Sequence, residues 1–494
     1  MQTQFDIIII GTGFGGLCMA HKLKQAGYDN ILLLEKGDEV GGTWRENTYP
    51  GAECDIPSVL YSYSFAPNPA WDFKWAKQPQ IFRYLKDFAT EHDLRRHIRF
   101  GMKVLEAEFS EQSGTWLVKT DAAKDAAEHG ELRCRYLVSA VGQLHHPNLP
   151  DIAGRDSFSG PYFHSAEWNH AVDLAGKRVG VIGSAASAVQ LIPEVAAVAK
   201  KLTVYQRSPN WIIDKGDRPY TAFEKRVAAL IPAIQKLYRF GVWCLGEYGI
   251  YPVIKGAPIR SFLARAKNRR DMKKFITDPG MIEALTPDYQ IGAKRILFSD
   301  KYYKTLAQDH VELVTGGIDK ITSDGVSGSD GVHRDHDVLV FATGFHTNPF
   351  LKEMNVRGRD GLTLKAHWAE GAFAYHGVVT SGFPNLFLLY GPNTNTGHTS
   401  VVATLEQESD YIIQLIRKSA GHTIEVQAAA EAEFGDEMQR RLHGLAWSNI
   451  EASWYKDGTK VTNNWPGSAL EFKRRMKVPK WEDFLFKEWA KHGE

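Results

Sequence analysis

Short apolar runs alternate along this chain with longer stretches of helical period. Residues 5–10 form an apolar run of the kind that makes a parallel strand buried on both faces. A glycine-rich turn follows at residues 11–16. Helical periodicity spans residues 14–26 and stops near Gly27, and residues 31–34 form the next apolar strand. The same order returns farther on: strand 178–182, turn 183–188, helix 189–199, strand 202–205. Two strand–turn–helix–strand units about 170 residues apart predict an α/β fold with two Rossmann-like dinucleotide-binding domains. This is one duplication, not a short-period array.

Between the units lies a crossing rich in Pro147, Pro150, Pro161, Gly142, Gly154 and Gly160. Residues 216–290 carry Lys, Arg and aromatics at helical spacing and predict a helical insertion in the second domain. Their most apolar part, 227–253, is interrupted by Lys236, Arg239 and Glu247. That predicts a buried or amphipathic helix, because a bilayer span needs about 18 or more unbroken apolar residues. The basic stretch 260–274 predicts a solvated helix face. Another apolar run, 337–341, leads into Ala342-Thr343-Gly344 and echoes 138–142. The echo predicts that the chain is back in its first domain from residue 331.

The turns suggest what each domain holds. Gly11-Thr12-Gly13-Phe14-Gly15-Gly16 follows a strand and opens a helix, so its backbone can approach a pyrophosphate at the helix's positive end. Glu35, 24 residues after Gly11, sits where a carboxylate accepts from ribose hydroxyls. The second turn, Gly183-Ser184-Ala185-Ala186-Ser187-Ala188, has Ala185 and Ala188 at the second and third glycine places. Ala188 is tolerable for helix packing, whereas Ala185 turns a methyl toward the pyrophosphate and is expected to lower affinity. Counting 24 residues from Gly183 reaches Arg207. A guanidinium there suits the 2′-phosphate of NADP. The first domain, 1–150 and 331–494, is thus expected to hold a dinucleotide through a ribose diol. The second, 151–215 and 291–330 around the insertion, is expected to bind NADPH.

Charge and cysteines narrow the classes. The net charge of +1 over 494 residues points away from nucleic acid and from an acidic membrane surface. Cys18, Cys54, Cys134 and Cys244 are scattered, with no close redox pair and no metal spacing. A reduced, cytoplasmic chain is expected, and a disulfide reductase on this scaffold is disfavoured. No targeting segment is visible.

Two further stretches are more specific. One is Gly41-Gly42-Thr43-Trp44 followed by Tyr49-Pro50-Gly51 and Asp55. The other is Phe158, Gly160, His164 and Trp168 in the spacing F-x-G-x-x-x-H-x-x-x-W. With Lys294-Arg295 and Ser453-Trp454-Tyr455, they resemble the type I Baeyer–Villiger monooxygenases along nearly the whole chain. The resemblance implies an oxidoreductase using FAD, NADPH and O₂. In it, reduced flavin forms a C4a-peroxide that inserts one oxygen beside a ketone carbonyl, giving an ester or lactone; sulfides are an accompanying substrate class. It implies that Arg295 is catalytic and oriented by Asp55. It implies that Lys294 joins Arg207 and Ser208 at the 2′-phosphate and that Trp454 contacts NADP. It places Lys36, Gly42, Thr43, Trp44, Tyr61 and Val104 against the flavin, with Ser184 and Ser187 against NADP. His164 and Trp168 are read as domain-coupling residues. Residues 391–398 are expected to line the flavin or substrate side, and His145-His146 is read as loop.

Two other readings stand beside this one. An N- or S-oxygenating flavin monooxygenase shares both cofactors, but its second fingerprint usually lacks the final Trp. A dinucleotide-sensing protein is the non-enzymatic reading, and Ala185 is its support. The particular ketone and the oligomeric state are not legible.

Overall fold

The computed structural model describes residues 2–122, 130–347, 350, 351, 353–449 and 455–488. Gln4–Ile10 is the centre of the first sheet. It pairs in parallel with Ile31–Leu34 on one side and Glu131–Ser139 on the other. Its inward isoleucines are wholly buried, and so are the four residues of Ile31–Leu34. Each such side chain removed from water contributes about 1.5–3 kcal/mol. Met102–Ser110 and Thr115–Ala122 extend the sheet antiparallel, and Leu386–Leu388 adds a parallel strand on Glu131–Ser139. Helix Phe14–Gln25 covers this sheet and packs against Val401–Lys418.

The second sheet is all parallel, in the order Val311–Val314, Lys201–Tyr205, Arg178–Ile182, Val338–Phe341, Tyr162–His164. Helix Ala186–Ala196 lies against it and buries Val189, Leu191, Ile192 and Val195.

Val338–Phe341 therefore belongs to the second sheet, and the return expected from residue 331 comes too early. The chain rejoins the first sheet at Asn355–Arg357, which pairs with Met102–Ser110. The reason is physical. A run buried on both faces reads alike in either sheet, so the echo of 138–142 reported burial but not the partner strand.

Helices Ala222–Leu230, Pro232–Leu245, Pro258–Lys273 and Pro279–Ala284 fill the expected insertion. Neither of the first two buries any residue, which leaves the amphipathic alternative of the two expected for 227–253; burial in this stretch begins only at Gly246. Among the described residues no helix is long and apolar enough to cross a membrane.

Candidate active site

Both sheets turn the carboxyl ends of their strands toward one cavity of about 1170 Å³. Gly11, Glu35 and Ala140 follow three strands of the first sheet; Gly183, Gln206 and Ala342 follow three of the second. All six line the cavity. This is where open α/β sheets bind ligands.

The first turn is built for backbone approach. Gly11 has φ +102°, and a Cβ there would stand 2.7 Å from the Ala140 carbonyl oxygen. Gly16 packs the helix onto the turn: a Cβ would fall 1.9 Å from the Gly11 carbonyl oxygen. Helix Phe14–Gln25 begins with no side-chain cap and no acidic residue in its first turn. Its leading N–H groups are thus left for an anion. The Gly41-Gly42 segment clamps the turn, with the Gly41 N–H donating to the Thr12 carbonyl at 3.0 Å.

Glu35 is 4% exposed. One carboxylate oxygen accepts from the Thr12 N–H at 3.0 Å and the Thr12 hydroxyl at 2.6 Å; the other accepts from the Gly37 N–H at 2.9 Å and Arg45 at 2.8 Å. Burial pushes its pKa up, but Arg45, Thr12 and Gly37 together hold it below the ordinary range. Arg45 is a partner that the sequence reading missed. Trp44 donates its indole N–H to the Tyr61 hydroxyl at 3.1 Å, and both rings line the cavity with Thr43, Lys36 and Val104.

The second turn repeats the plan. Gly183 has φ +122°, with 2.3 Å from a would-be Cβ to the Ala342 carbonyl oxygen. Helix Ala186–Ala196 also starts without a side-chain cap or an acidic residue. Ala185 and Ser187 line the cavity, and the Ser184 hydroxyl donates to the Ser208 carbonyl at 3.0 Å. Lys294 donates to the Ser208 hydroxyl at 2.9 Å. Burial, then the nearby Arg207, lowers the Lys294 pKa. Arg207 is exposed on the cavity wall and has no carboxylate partner among the described residues. Two cations converging with no carboxylate in ion-pair contact among the described residues, beside an uncapped helix, fit a dinucleotide carrying a further phosphate.

Arg295 reaches Asp55 across 240 residues of sequence. Nη2 donates to Oδ1 at 2.7 Å, and Nε meets Oδ2 at 2.5 Å. This two-pronged contact fixes the guanidinium plane. About a third of the arginine side chain, 31%, stays accessible, and it faces the cavity. Burial opposes the cation, but Asp55, with Tyr455 and Tyr390 nearby, holds its pKa above the ordinary arginine value. The Asp55 loop also rides on the second domain. Tyr49 donates to the Gln190 side-chain oxygen at 2.7 Å, and the Gln190 amide donates to the Glu53 carbonyl at 3.0 Å.

Gly13, Phe14, Gly15 and Gly42 line the cavity as well, whereas Gly16 and Ala188 lie behind its wall as packing positions. Trp454 lies outside the described residues. His164 is 1% exposed and caps a short turn by accepting from the Ala166 N–H at 3.1 Å. Burial lowers its pKa to about 4, which leaves it neutral. Asn395 lines the cavity, as expected for 391–398, and so do Phe345 and Tyr390, whereas no residue of 216–290 does. Gln143 was missed. It donates to the Tyr390 carbonyl at 2.7 Å and lines the cavity, and its only sequence signal is its place just past Gly142. Every described cysteine is free, and Cys54 is buried with its pKa raised by that burial. Disulfide chemistry finds no partner here.

Behind Tyr390 lies Glu408, fully buried, accepting from the Tyr390 N–H at 2.8 Å. Burial pushes its pKa up to about 8. A carboxyl raised above its unfolded value gives its full stability below that value and loses it as pH climbs toward the folded one. Between about pH 5 and 8, wild-type Tm is expected to fall relative to that of Glu408→Gln. Parallel Tm curves for the two proteins would contradict this.

Residues 8–232 match the family described as pyridine nucleotide-disulphide oxidoreductase. A Baeyer-Villiger monooxygenase of Streptomyces coelicolor is 37% identical over 477 residues, covering 95% of this chain and 90% of that protein. The FAD-binding monooxygenase ktnD of Aspergillus niger is 36% identical over 505 residues, covering 98% of this chain and 82% of that protein. Among solved structures, an oxidized steroid monooxygenase bound to NADP superposes with a TM-score of 0.87 at 32% identity, covering 98% of this chain and 100% of that one. A likeness that runs through both turns and nearly to both ends makes this chain a member of the Baeyer–Villiger monooxygenase family, flavoproteins that draw on FAD and NADPH.

Proposed function

We propose that Arg295 and Asp55 are the catalytic pair, with FAD along the first turn and NADPH along the second. The observation that carries this is the two-pronged Arg295–Asp55 contact, open to the one cavity that both uncapped turns share. The reaction takes NADPH and O₂ and inserts one oxygen atom beside a ketone carbonyl, giving an ester or lactone. When bound, FAD supplies the hydride acceptor and the activation of O₂.

The chain's own residues do the rest. Arg295 keeps a permanent positive charge where negative charge develops on the reacting oxygens, and such a fixed charge acts more strongly the less water lies between it and the anion. Asp55 holds the guanidinium plane and limits its swing. Glu35, with Arg45 beside it, meets the ribose of FAD. Arg207, Lys294 and Ser208 grip the 2′-phosphate of NADPH, and Trp44 and Tyr61 wall the cavity against water. The unpaired cysteines suit work in the reducing cytoplasm.

Sulfides are a second substrate class under this reading. A ketone and a sulfide of matched size therefore make the discriminating assay, followed by NADPH loss and product mass. Ketone-stimulated turnover with an ester product supports the reading. Sulfoxide with no ester from any ketone favours an N- or S-oxygenating monooxygenase.

A further inference from the structure

We infer that the helical insertion docks this enzyme on an anionic lipid surface through the outward faces of Pro232–Leu245 and Pro258–Lys273.

A surface helix normally buries its apolar stripe and wets its polar one. Pro232–Leu245 instead leaves an apolar face in water. Its inner side is held by polar anchors beside the half-buried Val242 and Trp243: the Gln235 amide donates to the Asn68 carbonyl at 2.7 Å, and Arg239 donates to the carbonyls of Val59 at 2.7 Å and Ser62 at 3.0 Å. The opposite face carries Ile234, Leu237, Phe240 and Leu245, which are 46%, 71%, 59% and 65% exposed. Leu230 and Tyr248, 70% and 57% exposed, continue this face beyond the helix ends. Pro258–Lys273 follows suit. Its Asn268 faces inward to the Ile212 carbonyl and the Tyr303 hydroxyl, while Ile259, Phe262 and Leu263 are exposed. Scattered exposed apolar residues are normal, but a run of them on two helices of one insertion marks an interaction site.

Charge identifies the occupant. Residues 221–280 hold 12 Lys and Arg against 4 Asp and Glu, a net of +8 in a chain whose total is +1. On the second helix Arg265, Arg269 and Lys273 are exposed with no carboxylate partner among the described residues. A second copy docked on the same face by two-fold symmetry would bring two such basic segments together. An anionic bilayer surface neutralises them and takes the apolar side chains to the headgroup boundary. This needs no spanning helix, in accord with the described helices. The expectation of no membrane partner came from whole-chain charge, which hides the local excess. The insertion also lines none of the cavity, so its surface is separate from catalysis.

Flotation of the FAD-loaded enzyme with vesicles tests this. Wild type is expected to float with phosphatidylcholine–phosphatidylglycerol vesicles at low salt and far less with pure phosphatidylcholine. Leu237→Glu with Phe240→Glu should lower the bound fraction about tenfold or more, as should Arg265→Glu with Arg269→Glu. Ketone-dependent NADPH oxidation in solution should stay at the wild-type rate in both. The proposal is overturned if wild type stays unbound to the anionic vesicles, or if the glutamate pair on Pro232–Leu245 floats as well as wild type. It is equally overturned if that pair only converts a dimer to a monomer, which would make the face a contact between copies.

Discussion

Arg295→Ala should cut ester formation by about 10²- to 10³-fold, the usual cost of losing one preorganised charge or donor at a developing anion. NADPH should still be consumed, with hydrogen peroxide as the product. The cofactor turns do not involve the guanidinium, so reduction needs Arg295 far less than oxygen insertion does. The readout is therefore the ratio of ester to NADPH consumed. Arg295→Lys restores a charge but not the two-pronged contact with Asp55, so it should fall between alanine and wild type. Equal loss of NADPH oxidation and ester would instead place Arg295 in cofactor binding. An unchanged ratio would remove it from the reaction.

The second large effect concerns the choice of nicotinamide. Arg207 lies on the cavity wall and Lys294 is tied to Ser208, neither in an ion pair with a carboxylate among the described residues. A charge-assisted bond to phosphate contributes about 1.5–3 kcal/mol, or about 10- to 150-fold in affinity. Arg207→Ala should raise KM for NADPH by that order and leave KM for NADH nearly unchanged. Adding Lys294→Ala should raise it further, by less than the product of the single effects, because the two cations would share one ligand. The 2′-phosphate assignment is wrong if both nicotinamides lose affinity equally.

Local features of the fold were legible in the sequence, and distant ones were not. The two turns could be read because strand, glycines and helix lie within a few residues of each other, and Gly11, Gly16 and Gly183 all meet a carbonyl that leaves no room for a Cβ. The place of Arg207 on the cavity wall could be reached by counting along one repeat. The Arg295–Asp55 contact could not follow from spacing, since 240 residues separate the partners; only the family resemblance joined them. Arg45 was invisible because its role depends on how the loop after Glu35 folds back on it. The strand Val338–Phe341 was assigned to the wrong sheet because an apolar run does not name its neighbours. The helices near residue 240 show a related limit. Periodicity reveals an apolar face but not its direction, and here that face points outward.

The central claim is that this chain inserts one atom of molecular oxygen beside a ketone carbonyl, with Arg295 holding the charge that makes it possible. The most direct test is turnover of a ketone with NADPH under ¹⁸O₂, with the product identified by mass. An ester carrying one ¹⁸O is expected from the wild-type enzyme and almost none from Arg295→Ala. Unchanged ketone across a broad panel, with all NADPH lost to hydrogen peroxide, would contradict it, as would an ester formed equally by both proteins.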